Sequence, residues 1–137
     1  MKPLRFPYAR MASGLTAASE LAWLPIRLGT QWNTVELSGL LDTGASVNVL
    51  PYPIGVELGL VWGQQTVPIF LTGNLSRTSA FGVIVTTQVE SLPPVDLAFA
   101  WTQTQDIPLI LGQVNFFMEF DVCFFRSQGV FEVAVKQ

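Results

Sequence analysis

The stretch Gly39–Pro51, GLLDTGASVNVLP, decides the fold, because a single carboxylate interrupts a run of apolar residues there. Asp42 directly follows Leu40 and Leu41 and is itself followed by the small residues of a tight turn, Thr43 to Ser46. A buried or half-buried carboxylate costs several kcal/mol unless neighbouring groups satisfy it. Asp42 is therefore either held in a hydrogen-bond network or used for chemistry, and the rest of the chain must decide between the two.

The composition bounds the class of protein. At 137 residues, the chain is long enough for one domain with a sizeable core and too short for two large lobes. Half of the residues are apolar and only 12% are charged, so we expect strands buried on both faces or surface covered in an oligomer. The seven basic residues form no stripe of the kind that contacts phosphates, so we expect no nucleic-acid partner.

The residue types exclude several kinds of site. Histidine is absent, so the chain can assemble no Ser/His triad, no Cys/His dyad and no histidine-based zinc site. Cys123 is the only cysteine, and its setting FDVCFF is typical of a small apolar residue in a strand. We expect neither a metal nor another cofactor.

The N-terminal segment predicts no export signal and no membrane anchor. The stretch MASGLTAASELAWLP contains Glu20 and lacks the apolar centre of a signal peptide. No window has the apolar length that a membrane span needs. We therefore expect a soluble, cytoplasmic protein.

Short apolar runs between turn residues predict a mostly β domain over residues 21–137, preceded by a flexible arm over residues 1–20. A hairpin of WLPIRLG and TVELSGLL runs into Asp42, and a longer hairpin from about Val67 to about Phe81 turns at Thr72–Asn74. QVNFFMEF predicts a short helix, and YPIGVELGL could form one helical turn stopped by Gly59. The other predicted strands are VNVLP, VDLAFAW, IPLILG, VCFF and GVFEVAV.

Two motifs together resemble the retropepsin-like aspartic proteases, a single-domain family that includes retroviral proteases and bacterial relatives. These motifs are LLDTGAS, around Asp42, and LILGQVNFF, around Gly112. The family pattern is an apolar pair, Asp-Thr/Ser-Gly-Ala/Ser, a β-hairpin flap, and a hydrophobic-hydrophobic-Gly stretch that leads into a short helix. All four parts occur in order between about Trp23 and Val135. The resemblance implies an acid-protease fold: a closed β-barrel with a flap and one short C-terminal helix.

The resemblance also implies a catalytic role for Asp42. Aspartic proteases use two carboxylates that share one proton: one draws a proton from water and the other protonates the carbonyl oxygen. The chain has a single Asp-Thr-Gly, so the resemblance implies a homodimer in which each copy supplies its Asp42. The implied activity is that of an aspartic endopeptidase, open to pepstatin-type inhibitors, with a peptide or protein as substrate.

Further roles follow from the same resemblance. Thr43 would reach across the two-fold axis to fix both Asp42 side chains, and Gly44 would let the backbone approach a bound peptide. Gly112 would let the last helix pack under the Asp42 loop. In the family, chain termini of both subunits form an interface sheet, and GVFEVAV alternates as an edge strand of such a sheet should. The implied substrate-binding residues are Leu40, Gly44, Ala45, Ser46, Val47, Gly73, Asn74, Pro108 and Ile110.

The sequence departs from the retroviral pattern at Ser46 and Gln113. Retroviral members usually carry an acid and an arginine there, which pair within one subunit. Because both charges are lost together, a neutral hydrogen bond could replace the ion pair without leaving a buried charge. The flap sequence LTGNLSRTS also lacks a glycine-dense tip, and we expect Arg77 in it to face water.

Two functions remain open at this point. Asp-Thr-Gly by itself is also a common turn, in which the aspartate caps a strand. The alternative to a peptidase is therefore a catalytically silent retropepsin-like dimer that binds a peptide or a partner strand. The intact Asp42-Thr43-Gly44 favours the enzyme.

Overall fold

Six strands close a β-barrel in the computed structural model, which describes residues 2–11, 19–71 and 78–137. Their order around the barrel is β2-β3-β8-β4-β7-β6, and pairing of β2 with β6 closes the ring. The short strand β5 lies outside the ring and pairs with β6. The closed barrel predicted from the sequence is confirmed. The strands are β2 (Trp23–Gly29), β3 (Thr34–Leu41), β4 (Val49–Leu50), β5 (Pro68–Phe70), β6 (Ser79–Gln88), β7 (Val95–Thr102) and β8 (Leu109–Leu111).

Three further strands form a separate antiparallel sheet from the two ends of the chain. They are β1 (Leu4–Pro7), β9 (Phe120–Phe125) and β10 (Val130–Val135), in the order β1-β10-β9. The expectation of an arm without strand structure over residues 1–20 is wrong for Leu4–Pro7. Phe6 is buried there and stacks on Phe131, with 5.5 Å between ring centroids. A strand of four residues shows too little alternation to be recognised from the sequence. The predicted start of the domain at residue 21 stays a prediction.

The last strand, β10, lies in the centre of this sheet, so the expectation that GVFEVAV forms an edge strand is wrong. Its side chains Phe131 and Val133 are fully buried. β9 and β10 contain the predicted strands VCFF and GVFEVAV and pair as a hairpin, in which Gly129 adopts φ +67° after a 3-10 turn over Arg126–Gln128. Cys123 lies in β9, as predicted, with its side chain exposed.

Two short helices interrupt the strands. α1 (Tyr52–Glu57) follows β4 and is the single helical turn that the sequence suggested, with Gly59 at φ +88° beyond its end. α2 (Phe116–Glu119) is shorter than the predicted QVNFFMEF, since residues 113–115 form a loop. Within the described ranges, no helix combines the length and apolar character that crossing a membrane requires.

One large apolar core fills the barrel and continues under the terminal sheet. Leu24, Leu50, Trp101 and Phe120 are among its most buried side chains. The core also contains Phe116 of α2, so the packing joins the Gly112 motif to both sheets. Two tryptophans, Trp23 and Trp101, are buried in strands, whereas Trp32 and Trp62 lie near turns and are exposed and half-buried, respectively.

Candidate active site

The end of β3 brings Asp42 beside the Gly112 motif. β3 and β8 run parallel, with Leu40 opposite Ile110 and Leu41 opposite Leu111. The backbone N–H of Asp42 continues this ladder by donating to the carbonyl of Leu111, at 3.0 Å. The two motifs, distant in sequence, therefore meet as neighbouring strand ends.

The Asp42 carboxylate is held on one side by its own turn. Gly44 N donates to Asp42 Oδ1 at 2.9 Å, and Ala45 N donates to the Asp42 carbonyl at 3.1 Å. No other donor contacts this carboxylate within the described residues. Asp42 is half-buried, whereas Thr43 and Gly44 are exposed. One carboxylate oxygen is thus fixed at the surface, and the other accepts no hydrogen bond from the described residues.

Gly112 packs directly against the loop that follows Asp42. A Cβ at this position would lie 2.5 Å from the carbonyl oxygen of Val47 and 2.9 Å from that of Ala45. A side chain at residue 112 would therefore push the loop away. The N–H of Gly112 donates to Asn48 Oδ1 at 2.8 Å, which fixes the two segments to each other.

Asn48 is the polar centre of the site and was missed by the sequence reasoning. Its side chain is fully buried, and Nδ2 donates to the Ala98 carbonyl at 3.0 Å and to Asn115 Oδ1 at 3.2 Å. Asn115 Oδ1 also accepts from Ala98 N at 3.1 Å. One amide therefore connects the Asp42 loop to β7, to Gly112 and to the start of α2. The sequence does hold one indication of this role: Asn48 lies between two valines in the predicted strand VNVLP, where a buried polar side chain needs hydrogen-bond partners.

Gln113 and Ser46 stand where retroviral members carry an ion pair, and Gln113 does make a neutral hydrogen bond. Its partner, however, is Thr43 and not Ser46. Its Nε2 donates to the Thr43 carbonyl at 2.9 Å, and its backbone N–H donates to the Ala45 carbonyl at the same distance. The side chain of Ser46 is exposed, and the Ser46 carbonyl accepts from Val114 N at 2.9 Å. Gln113 thus supports the backbone of Thr43 and Ala45 directly.

Three of the nine predicted substrate-binding residues, Leu40, Val47 and Ile110, share one face of the sheet beside Asp42. Cross-strand partners lie on the same face, and the register runs from Leu40 to Ile110 and from Ile110 to Val49. Ile110 and Val47 are half-buried in a small apolar cluster around Val49. Pro108 is half-buried just before β8. The predicted residues Gly73 and Asn74, at the turn of the flap, lie outside the described residues.

The stem of the predicted flap packs on this same cluster. β5 pairs antiparallel with β6, with Ile69 opposite Ala80, and both residues belong to the cluster of Val47 and Ile110. The stem therefore lies next to the apolar face. Aromatic contacts also hold this stem at Phe81 of β6. The ring centroid of Trp62 lies 4.8 Å from that of Phe81 and 5.1 Å from that of Trp101.

The architecture is similar to that of a retropepsin-like aspartic protease from Rickettsia conorii, whose crystal structure superposes with a TM-score of 0.61. The likeness covers 96% of this chain and 91% of that one, at 12% sequence identity. No family model and no curated protein matches the sequence. At this identity the likeness concerns the fold, and it confirms the retropepsin-like architecture that the two motifs implied.

Proposed function

We propose that this chain is an aspartic endopeptidase that acts as a homodimer on extended peptides with apolar side chains at the cleaved bond. The observation that carries the proposal is Asp42: a half-buried carboxylate on a retropepsin-like fold, fixed through one oxygen by Gly44 N. Two neighbouring segments, Gly112–Gln113 and the flap stem, support the loop and the face beside it.

The second carboxylate of the reaction has to come from another copy. Residues 37–51 and 107–118, which build the loop and its support, contain no ionisable side chain except Asp42. A two-fold axis beside Asp42 would bring two identical carboxylates together. The exposed Thr43 and Gly44 are in position for contact with that copy or with substrate.

The two carboxylates would act as base and acid in turn. The ionised Asp42 takes a proton from water, and the water oxygen bonds to the carbonyl carbon of the peptide. The protonated Asp42 of the other copy gives its proton to the carbonyl oxygen, so a gem-diol forms. The first Asp42, now protonated, then gives its proton to the amide nitrogen, while the ionised Asp42 of the other copy takes a proton from a gem-diol hydroxyl. The C–N bond breaks, a carboxylic acid and an amine leave, and the pair again holds one proton.

The substrate preference follows from the apolar face beside Asp42. Val47 and Ile110 are half-buried and uncharged, and Leu40 lies on the same face. Such surfaces bind aliphatic or aromatic side chains, and an extended peptide can also hydrogen-bond through its backbone. The proposal includes a cytoplasmic location, because the sequence carries a single cysteine and so forms no disulfide within itself.

A library of peptides, with products identified by mass spectrometry, tests the proposal. We expect cleavage between apolar residues, inhibition by a pepstatin-type analogue, and a loss of about 10²–10⁴-fold or more in Asp42→Asn. Glu57→Gln, which removes an exposed carboxylate at the end of α1, is the control and should keep its activity. If wild type binds peptides but cleaves none, and Asp42→Asn binds them equally, the chain is the silent binding module.

A further inference from the structure

A groove on the outside of the barrel lies apart from the Asp42 loop. It has a volume of about 490 Å³, within the usual range of ligand-binding sites, and is bounded by the β2–β3 turn, the segment after α1, and β6. None of the residues assigned to the candidate active site lines it. We call it the Trp32 groove, and its walls include Trp32, Leu60, Gln65, Ile84 and Asp96.

The backbone of Ile84 is open on the side of β6 that borders the groove. Gly82 N donates to the Val67 carbonyl at 2.7 Å, so Gly82 directs its backbone groups away from β7. These directions alternate along a strand, so Ile84 directs its N–H and C=O to the same side. Pairing with β5 has ended there, and pairing with β2 begins only at Thr86, opposite Gly29. Among the described residues, neither group of Ile84 has a hydrogen-bond partner on this side.

The partner of Ile84 in β7 gives the same result. Ala98 lies opposite Ile84, and its N–H donates to Asn115 Oδ1 at 3.1 Å. The Ala98 carbonyl accepts from Asn48 Nδ2 at 3.0 Å. Both backbone groups of Ala98 therefore point away from β6, and the pair is not hydrogen-bonded. One donor and one acceptor of Ile84 are left for a ligand.

Trp32 gives the groove a fixed aromatic wall. Its side chain is 57% exposed. Its backbone N–H donates to Thr30 Oγ1 at 3.2 Å, and the Thr30 hydroxyl donates to the Leu58 carbonyl. Gly59 lies so close that a Cβ on it would be 2.8 Å from the Cβ of Trp32. An exposed indole held in this way offers a ring face to a ligand at little cost in conformational entropy.

Asp96 gives the groove a negative charge. It is the only charged side chain among the described residues that line the groove, and none of the ion pairs in that part of the chain includes it. Its Oδ1 accepts from Thr86 Oγ1 at 2.6 Å, which orients the exposed carboxylate. The complementary charge is a cation. Arginine fits best, since its guanidinium both stacks on an aromatic ring and pairs with a carboxylate.

We propose that the Trp32 groove is a second peptide-binding site, which takes an extended segment of the substrate that carries an arginine. One residue of this segment exchanges hydrogen bonds with the N–H and C=O of Ile84, as an added strand does. The arginine side chain lies against Trp32 and pairs with Asp96. The identity of the occupant rests on the proposed function, since a peptidase acts on peptides, whereas binding in the groove needs no cleavage.

Two capped tripeptides test the binding: acetyl-valyl-arginyl-valine amide and its citrulline analogue, which has the same shape without the charge. The protein carries Asp42→Asn, so that no cleavage interferes, and NMR follows the Ile84 amide and the Trp32 indole. We expect saturable shifts of both signals, with an affinity about fivefold to tenfold lower for the citrulline peptide. Equal affinity for the two peptides, or shifts confined to the Asp42 loop, would overturn the site.

Asp96→Asn in the same protein tests the source of the preference. It should lower the affinity for the arginine peptide to that for the citrulline peptide, and leave the latter unchanged. Glu57→Gln, which removes the same charge from an exposed side chain outside the groove, should change neither affinity. If Glu57→Gln abolishes the preference equally, only the net charge of the protein matters, and the site is overturned.

Cleavage assays test whether the occupant is a substrate. The arginine segment is joined through flexible linkers of several lengths to a peptide that the wild type cleaves. Asp96→Asn should raise KM about fivefold to tenfold with kcat unchanged, and the citrulline version should show no such difference. Equal KM values at every linker length would overturn the assignment to a substrate and leave the peptidase activity intact. Binding at Ile84 by a wild type that cleaves no peptide would overturn the proposed function, and with it this assignment.

Discussion

At the scale of single residues, the surroundings of Asp42 fit both an aspartate that caps a turn and a carboxylate available for catalysis. Gly44 N satisfies one of its oxygens, as in any aspartate that caps a strand, yet the side chain stays half-buried beside an exposed surface. The sequence could indicate this position because Asp-Thr-Gly is compact and local. It could not indicate the support by Asn48, whose partners Ala98, Gly112 and Asn115 are all distant in sequence.

Replacing Asn48 tests that support. Asn48→Asp removes two N–H donors and places a carboxylate beside the carbonyl oxygens of Ala98 and Asn115. We expect the free energy of unfolding to fall by about 1–3 kcal/mol or more, with loss of peptidase activity, because buried polar groups are left unpaired. Urea denaturation measures the change. Ser46→Ala, at an exposed side chain nearby, should stay within about 0.5 kcal/mol of wild type. An Asn48→Asp protein as stable as this control would contradict the assignment.

At the scale of elements, the local hairpins were predictable and the long-range pairings were not. The strands of two antiparallel pairs, β2 with β3 and β9 with β10, follow each other directly along the chain and are joined by short turns. The apolar runs and turn residues therefore predicted these strands. The pairing of β1 with β10 joins opposite ends of the chain and leaves no local signal. The parallel contact of β3 with β8 was not predicted, because no pattern in the two segments indicates it. The family resemblance implied only that Gly112 lies close to the Asp42 loop.

The aromatic contacts of Trp62 should stabilise the flap stem, which is formed by β5 and β6. Trp62→Ala removes the contacts to Phe81, Tyr52 and Trp101 at the base of β5 and β6. We expect a loss of about 1–3 kcal/mol in stability and faster amide hydrogen exchange over residues 79–82, with a raised KM for peptides. Hydrogen exchange followed by mass spectrometry measures this. Trp32→Ala, at a tryptophan 57% exposed, is the size-matched control, and equal exchange in both variants would argue against an anchoring role for Trp62.

At the scale of the whole molecule, the account depends on counting carboxylates. The fold, the loop geometry and the apolar face belong to one chain, whereas the reaction needs two acids and the loop supplies one. The low share of charged residues agrees with the proposed second copy, which would cover part of the apolar surface.

Subunit mixing tests this central claim most directly. Wild-type chains at fixed concentration are equilibrated with a ninefold excess of Asp42→Asn chains, and peptide cleavage per wild-type chain is measured. If each active site needs Asp42 from both copies, only about a tenth of wild-type chains meet another wild-type chain, and activity should fall to about that fraction. The same excess of Glu57→Gln chains should not lower it. Activity that remains unchanged in the presence of excess Asp42→Asn chains, with subunit exchange shown by a mass-tagged heterodimer, would contradict the shared site.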